Sequence, residues 1–484
     1  MEGTGNREDG QNGERAMAQE CVGARVTRWA TTISNIGPTR RERLEKRPPP
    51  WWAYVEGPGR LTFRARSGDD AAADAPHRIP PDPRPLARVL VTDGEQRSSL
   101  AVVRSLGRAG HEVLVCGQTS KPLAGASRWC RGTRVAPDPR RDREACVRAL
   151  EAIVRDDAVD IAIPLTDAAA WVVPRLREAC PGLQVAFPRE DAYRQASDKK
   201  HLAELAGALG VPVPRQAVLE SPEADAAVAL GEAGLDGPVV AKPSRSVVPA
   251  GAGLTSLPVK MVPDRDALLT VLAEYPPEAY PILLQERISG PGLGAFVLAD
   301  GGRLVASFAH HRIREKPPTG GVSVYRESVP LREDIGRHTR AIVEALQWSG
   351  VAMVEFKEDA ASGTPYLMEV NARFWGSLQL AIDAGVDFPA LLLRSMEGDA
   401  IPEVTEYRLG VRSRWLWGEI DHLIAVLRTP SAVRATHPSL PGRLGAVARL
   451  VPPWRPGDRF EVLRAGDPRP FLRESLQWIG RLFA

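Results

Sequence analysis

A chain of 484 residues is long enough for more than one domain, and its 43% hydrophobic and 25% charged residues are an ordinary balance for a globular protein. A formal charge of only +3, with the arginines scattered rather than blocked, excludes a general electrostatic grip on nucleic acid. Cys21, Cys116, Cys130, Cys146 and Cys180 form no Cys-x-x-Cys pair and no zinc-like spacing with histidine, so no thiolate metal site is expected and the pattern suits a reducing compartment.

No apolar run reaches the ~20 residues that a membrane-spanning helix needs, and Met1 to Gly13 is polar, without the apolar core of a secretory signal. A cytoplasmic location is therefore expected. Residues 1–85 hold only nine Leu, Ile, Val or Phe, and Pro48-Pro49-Pro50 and the stretch Pro76 to Pro85 break regular structure. So little apolar surface cannot offset the entropy of ordering, and disorder is expected there. Trp51, Trp52 and Tyr54 are either a short docking element or incidental in a flexible tail.

Order begins at Arg88. The apolar run Arg88 to Thr92 is broken by Asp93-Gly94, and Leu100, Val103 and Leu106 then recur at helical spacing up to Gly110. His111 to Cys116 reads as the next strand, and Asp160 to Pro164 as a later one. This β-turn-α-β pattern opens a doubly wound parallel sheet over residues 86–195. The turn Asp93 to Ser99 lacks the G-x-G-x-x-G fingerprint, which counts against an NAD-linked oxidoreductase. The loops 93–99 and 164–167 lie at the carboxyl ends of strands, where they are either substrate walls or ordinary turns.

From Ala196 to residue 400 the pattern becomes α+β. A helix spans Lys199 to Leu209. Strands are expected at Pro238–Lys242, Pro281–Glu286, Gly294–Ala299, Arg303–His310, Val351–Lys357 and Tyr366–Asn371, with helices at 265–274 and 332–349. Residues 401–484 carry apolar helical patches at Leu416–Leu427 and Leu472–Phe483 and no chemical motif.

The carboxylates carry the first chemical signal. A hairpin centred near residue 362, at the turn Ser362-Gly363, sets Glu355 opposite Glu369, and period-two alternation puts Asn371 on the face of Glu369. Two carboxylates and an amide oxygen so close suit Mg²⁺ carrying a nucleotide's phosphates. Lys199 begins a helix, Lys242 closes an apolar strand, and Arg373 lies two residues beyond Asn371. Together they form a set of cations able to clamp phosphate and stabilise a transferring phosphoryl group. Arg312 and Arg314 alternate onto one strand face beside the Gly320-Gly321 loop, a suitable acceptor for an anionic substrate or an acyl-phosphate. His310-His311 is no metal pair, because adjacent strand residues face opposite sides.

These motifs, in order, resemble the ATP-grasp superfamily: Ala196-Ser-Asp-Lys199, Val239-Val-Ala-Lys242-Pro243, Leu284-Gln-Glu-Arg-Ile288, Val354-Glu-Phe356 and Met368-Glu-Val-Asn-Ala-Arg373. The resemblance runs from about residue 88 to 400, and points to carboxylate–amine ligases and carbamoyl-phosphate-synthase-like or biotin-carboxylase-like members. It implies an α/β and α+β architecture: a Rossmann-like pre-ATP-grasp domain (86–195), a two-subdomain ATP-grasp fold (196–400) and a helical C-terminal extension (401–484). It also implies ATP as cofactor with Mg²⁺, Mn²⁺ being a possible substitute. Lys199 and Lys242 would contact phosphates. Gln285, Glu286, Arg287 and Ile288 would hold adenine, with Glu286 near the exocyclic amine. Glu355, Glu369 and Asn371 would hold the metal, and Arg373 and Arg312 would serve catalysis.

Two departures stand out. The lid after Lys242, Ser244 to Gly253, is poor in glycine and keeps Gly251 and Gly253, and Ser289-Gly-Pro-Gly292 offers no ribose-binding carboxylate. The expected activity is ATP-dependent joining of a small-molecule carboxylate to an amine. The alternatives are a non-catalytic ATP sensor or partner subunit, and a bicarbonate-activating enzyme, which would need a separate biotin carrier. The acid, the amine and the assembly state, a homodimer among the options, are left open.

Overall fold

The computed structural model describes residues 86–318, 321–430, 440, 442–450 and 457–482. The disorder expected for residues 1–85, with the reading of Trp51, Trp52 and Tyr54, lies outside the described residues.

The first domain is a parallel sheet of β1 (Arg88–Val91), β2 (Glu112–Gly117), β3 (Cys130–Val135), β4 (Ile161–Ile163) and β5 (Gln184–Val185) in the order β3-β2-β1-β4-β5. Val89, Leu90 and Val91 are wholly buried, as a parallel strand covered on both faces requires. The helix Arg97–Ala109 buries Leu100, Val103 and Leu106. It stops at Gly110 (φ +104°), whose N–H donates back to the carbonyls of Gly107 and Leu106. The strand order reverses between β1 and β4, and there the two loops meet: Thr166 Oγ1 donates to Asp93 Oδ1 at 2.8 Å.

The next unit begins with the helix Lys199–Ala208, capped by Asp198, which accepts the N–H groups of Lys200 and His201. It continues through β6 (Gln216–Leu219), β7 (Val239–Pro243), the hairpin β8 (Val247–Ala250) with β9 (Gly253–Ser256), β10 (Lys260–Val262) and β11 (Ile282–Glu286). Four of these form the antiparallel sheet β10-β7-β11-β6, which has its own apolar core around Leu219, Val239, Ala241, Ile282 and Leu284.

The large sheet contains β12 (Gly292–Asp300), β13 (Arg303–Lys316), β14 (Val322–Ser328), β15 (Gly350–Glu358), β16 (Pro365–Asn371), β17 (Arg412–Arg414) and β18 (Asp458–Phe460). Their order is β16-β15-β12-β13-β14-β17-β18. Two cores bridge this sheet and the first domain. One joins Leu90, Leu150 and Phe187 to Trp348 and Phe356, and the other joins Val89 and Leu106 to Phe308 and Trp375.

The C-terminal segment carries the helices Leu416–Arg428, Arg443–Leu450 and Arg469–Leu482, and in addition the two short strands that extend the large sheet. Among the described residues no helix is long and apolar enough to cross a membrane. Charge, rather than apolar surface alone, anchors this segment. Glu461 pairs with Arg97 of the first domain and, at 2.6 Å, with the wholly buried Arg326 of β14. Arg104 pairs with Asp467 at 2.9 Å, and the Arg97 guanidinium lies 3.7 Å from the centre of the Trp415 ring.

Burial opposes ionisation of Glu461, but Arg326 and Arg97 outweigh it and hold the carboxyl below the usual range. Glu461→Ala strands two buried guanidiniums and should destabilise the fold by about 3–5 kcal/mol, read by urea unfolding. Because the folded-state pKa is depressed, the stability this group supplies is present above its unfolded value of ~4.3. It is lost as pH falls through the lower folded value.

Candidate functional site

The hairpin β15–β16 sets the site. Its register pairs Glu355 directly with Glu369, and Asn371 with Met353, with an irregularity just after Glu355. Gly363 turns it at φ +72°, a conformation glycine adopts without strain. Glu369, on the face shared with Asn371, accepts a hydrogen bond from Asn371 Nδ2 at 3.0 Å. Burial, and then the negative charge of Glu369, push the Glu355 carboxyl above its usual range, although Arg312 and Arg373 pull the other way. A hard cation relieves that conflict. Among the described residues no group of three or more His, Cys, Asp or Glu can hold a metal by itself. Glu355, Glu369 and the Asn371 amide are the groups here that could hold a hard cation such as Mg²⁺.

Cations surround the pair. Lys199 Nζ lies 3.8 Å from Glu369 and 2.9 Å from Ser246 Oγ. Arg312 Nη2 lies 3.6 Å from Glu355 and its Nη1 3.2 Å from Glu315. Lys242 points across the cleft from β7 and approaches the Met368 sulfur at 3.5 Å. Burial lowers the Lys242 pKa to about 8, with Glu369 opposing the shift and Lys199 and Lys357 adding to it.

Arg373 is fixed from the first domain. Its Nε and Nη2 donate to the two oxygens of Asp167 at 2.8 and 3.0 Å, and Nη2 also reaches Asn371 Oδ1 at 3.4 Å. Burial works against both charges, but each partner outweighs it: the Asp167 pKa is lowered and that of Arg373 raised. The ion pair spans 206 positions of sequence, and no local pattern announces it.

The structure thus brings Lys199, Lys242, Glu355, Glu369, Asn371, Arg373 and Arg312 to one cleft. It does not bring the Glu286 carboxylate there. Lys242, Leu283 and Gln285 share one face of the β7–β11 pair, while Glu286 turns to the other, where it accepts from the N–H of Arg215 at 3.0 Å and its Nε at 2.9 Å. Gln285 is buried; its Nε2 donates to Gln216 at 2.7 Å and its Oε1 has no partner. Arg314 also departs from expectation. Register shifts on either side of it separate it from Arg312, and it pairs instead with the buried Glu419 at 2.6 Å. His310 is buried against Phe296 and bonded to Ser377, while His311 is exposed, as the alternation requires.

The segment expected to act as a lid forms the hairpin β8–β9. Gly251 turns it at φ +55°, and a Cβ at Gly253 would stand 2.0 Å from the Arg140 carbonyl oxygen, so only glycine permits this approach. Leu254 N–H donates to that carbonyl, and Arg143 N–H donates to the carbonyl of Ala252.

Residues 278–418 match a family model described as ATP-grasp in the biosynthetic pathway with Ter operon. No curated protein matches the chain. Among solved structures, biotin carboxylase from Campylobacter jejuni superposes with a TM-score of 0.54 at 17% identity, over 68% of this chain and 74% of that one. N5-carboxyaminoimidazole synthetase from Staphylococcus aureus gives 0.51 at 13% identity, over 67% and 80%. Pyruvate carboxylase from Rhizobium etli gives 0.53 at 18% identity over 68% of this chain, which spans only 30% of that enzyme's length. The ATP-grasp match is thus confined to residues 278–418, and the solved structures share the fold over about two thirds of the chain.

Two outcomes follow for an ATP-turnover assay. Lys242 is charged below about pH 8 and neutral above it, so kcat/KM for ATP should fall as pH rises through that value. Lys242→Arg should move this limb to higher pH. Asp167→Asn should lower kcat by about 10²-fold while KM for ATP holds, because a guanidinium displaced by an ångström loses its alignment. Asp167→Glu should recover part of the rate.

Proposed function

We propose that this chain is an ATP-dependent ligase that activates a carboxylate as an acyl-phosphate and joins it to an amine, releasing ADP and phosphate. The observation that carries this reading is the convergence of Glu355, Glu369 and Asn371 with Lys199, Lys242, Arg312 and Arg373 on a single cleft. ATP would lie between the β7–β11 sheet and the β15–β16 hairpin, its adenine along the backbone of Gln285 to Ile288. Mg²⁺ held by Glu355, Glu369 and Asn371 would neutralise phosphate charge.

The chain's own groups then set the geometry. Lys199 and Lys242 orient the phosphates, and Arg373, held by Asp167, faces the charge that develops as a carboxylate oxygen attacks the γ-phosphorus and ADP leaves. Arg312, set at Glu355, stabilises the resulting acyl-phosphate. The amine attacks the acyl carbon, phosphate departs, and a C–N bond remains. The β8–β9 lid keeps water from the intermediate.

Glu369→Ala should reduce ATP turnover by more than about 100-fold with an unchanged thermal midpoint. The first assay is ADP release from Mg–ATP with acids and amines, singly and paired. Release that depends on one acid and rises with one amine supports the ligase. Nucleotide binding with no ADP from any pair would instead leave an ATP sensor.

A further inference from the structure

A cavity of about 280 Å³ adjoins the hairpin but is distinct from the nucleotide cleft: Lys199, Glu369 and Asn371 line it, whereas Lys242 and residues 285–288 do not. The first domain builds its far wall, where Trp171, Phe187 and Tyr193 present aromatic surface, and Val247 of the lid closes over it. The Phe187 and Tyr193 rings stand 4.7 Å apart, and burial holds the Tyr193 hydroxyl neutral by pushing its pKa up to about 12.

Three arginines on this wall are already engaged. Arg177 donates to the carbonyls of Val185, Phe187 and Pro188, which makes it a brace for the wall. Arg175 is paired with Glu144 at 2.7 Å, and Arg194 with Glu190 at 3.7 Å. The inner end adjoins the paired carboxylates, with Lys199 held there by Glu369 and Ser246. There Lys199 and the Asn371 amide border the same carboxylates that flank the phosphates, so a group bound at that end lies within reach of phosphoryl transfer. A polar inner end and an apolar wall together select a ligand with one anionic tip and an apolar body. A volume near 280 Å³ suits a single ring with a short chain and leaves bicarbonate with an unfilled apolar wall.

We propose that this cavity holds the acid substrate, and that the acid carries a ring-sized apolar body packed on Trp171, Phe187 and Tyr193, with its carboxylate at Lys199 and Asn371. This assignment rests on the ligase reading above. Ser246, bonded to Lys199, and Val247 belong to the lid arm, so closing the lid also completes the acid site.

Hydroxylamine serves as a general amine: it attacks an acyl-phosphate, forms a hydroxamate and releases phosphate, so the natural amine need not be known. The full chain with Mg–ATP is given acetate, glycine, aspartate and bicarbonate, and separately benzoate, phenylacetate and 3-phenylpropanoate. Hydroxamate, or ADP for bicarbonate, is measured. Equilibrium binding of 3-phenylpropanoate is measured in parallel, with Mg²⁺ and a non-hydrolysable ATP analogue.

The expected result is kcat/KM at least about tenfold higher for a ring-bearing acid than for acetate. Trp171→Ala should raise KM for that acid by about tenfold with KM for ATP unchanged, and Trp171→Phe should restore it. Retained nucleotide binding shows that each variant is folded. Preference for a small polar acid or bicarbonate, with Trp171→Ala changing KM less than about twofold, overturns the pocket assignment and leaves the ligase standing. Trp171-dependent binding of 3-phenylpropanoate without hydroxamate from any acid does the reverse. Neither binding nor hydroxamate overturns both.

Discussion

Glu355 and Glu369 face each other across two hydrogen-bonded strands, and the charge of Glu369 makes that of Glu355 more costly. Such a pair is tolerable where counter-charge is concentrated, and the molecule supplies it from several directions. Lys199 arrives from a helix start, Arg312 from β13, and Arg373 from just beyond β16. The first domain contributes no cation to this cluster. Its Asp167 fixes the direction of Arg373 instead, which explains why a parallel sheet with no dinucleotide fingerprint is packed so closely beside the site. The switch point of that sheet, where Asp93 meets Thr166, thus stabilises a loop that serves the neighbouring domain.

Local pattern made the hairpin legible. Alternation on both strands and a Ser-Gly turn between them were enough to place Glu355 against Glu369 and Asn371 beside it, and the register agrees. Two of the four small-sheet strands, β7 and β11, and the helix at Lys199 were legible for the same reason, whereas β6 and β10 were not read. Features that depend on distant partners were not. Asp167 and Arg373 were each visible as isolated residues, and nothing in either neighbourhood encodes their pairing. Arg312 and Arg314 illustrate a second limit: period-two alternation predicts a shared face, and the irregularities around Arg314 undo it. The Glu286 carboxylate was expected at adenine on resemblance, yet the same alternation, applied to β7 and β11, turns it away from Lys242. The strands β17 and β18, at three residues each, carry too little pattern to be read at all.

The C-terminal segment shows how the large sheet is finished. Its two strands cover what would otherwise be the open edge at β14, and unprotected edges invite pairing between molecules. The anchoring is ionic and buried, through Glu461 to Arg326, Asp467 to Arg104 and Glu419 to Arg314. A buried ion pair is weak as a source of net stability but demanding in geometry, since a misdocked segment strands charge in a dry interior. This favours one seating of the segment over its near neighbours.

The attachment of the lid has a kinetic consequence. It meets the first domain through a few main-chain bonds to residues 140–143 and a small apolar contact among Ala168, Val247 and Leu254. The sheet behind it keeps a separate core that does not take part in that contact. Releasing the hairpin withdraws Val248 from that core and exposes little other apolar surface, so opening belongs to the low-energy end of the local fluctuations that folded proteins sample. In amide hydrogen exchange, Leu254 and Arg143 would lose protection together and early, while Leu283 and Val354 would hold theirs until the molecule unfolds.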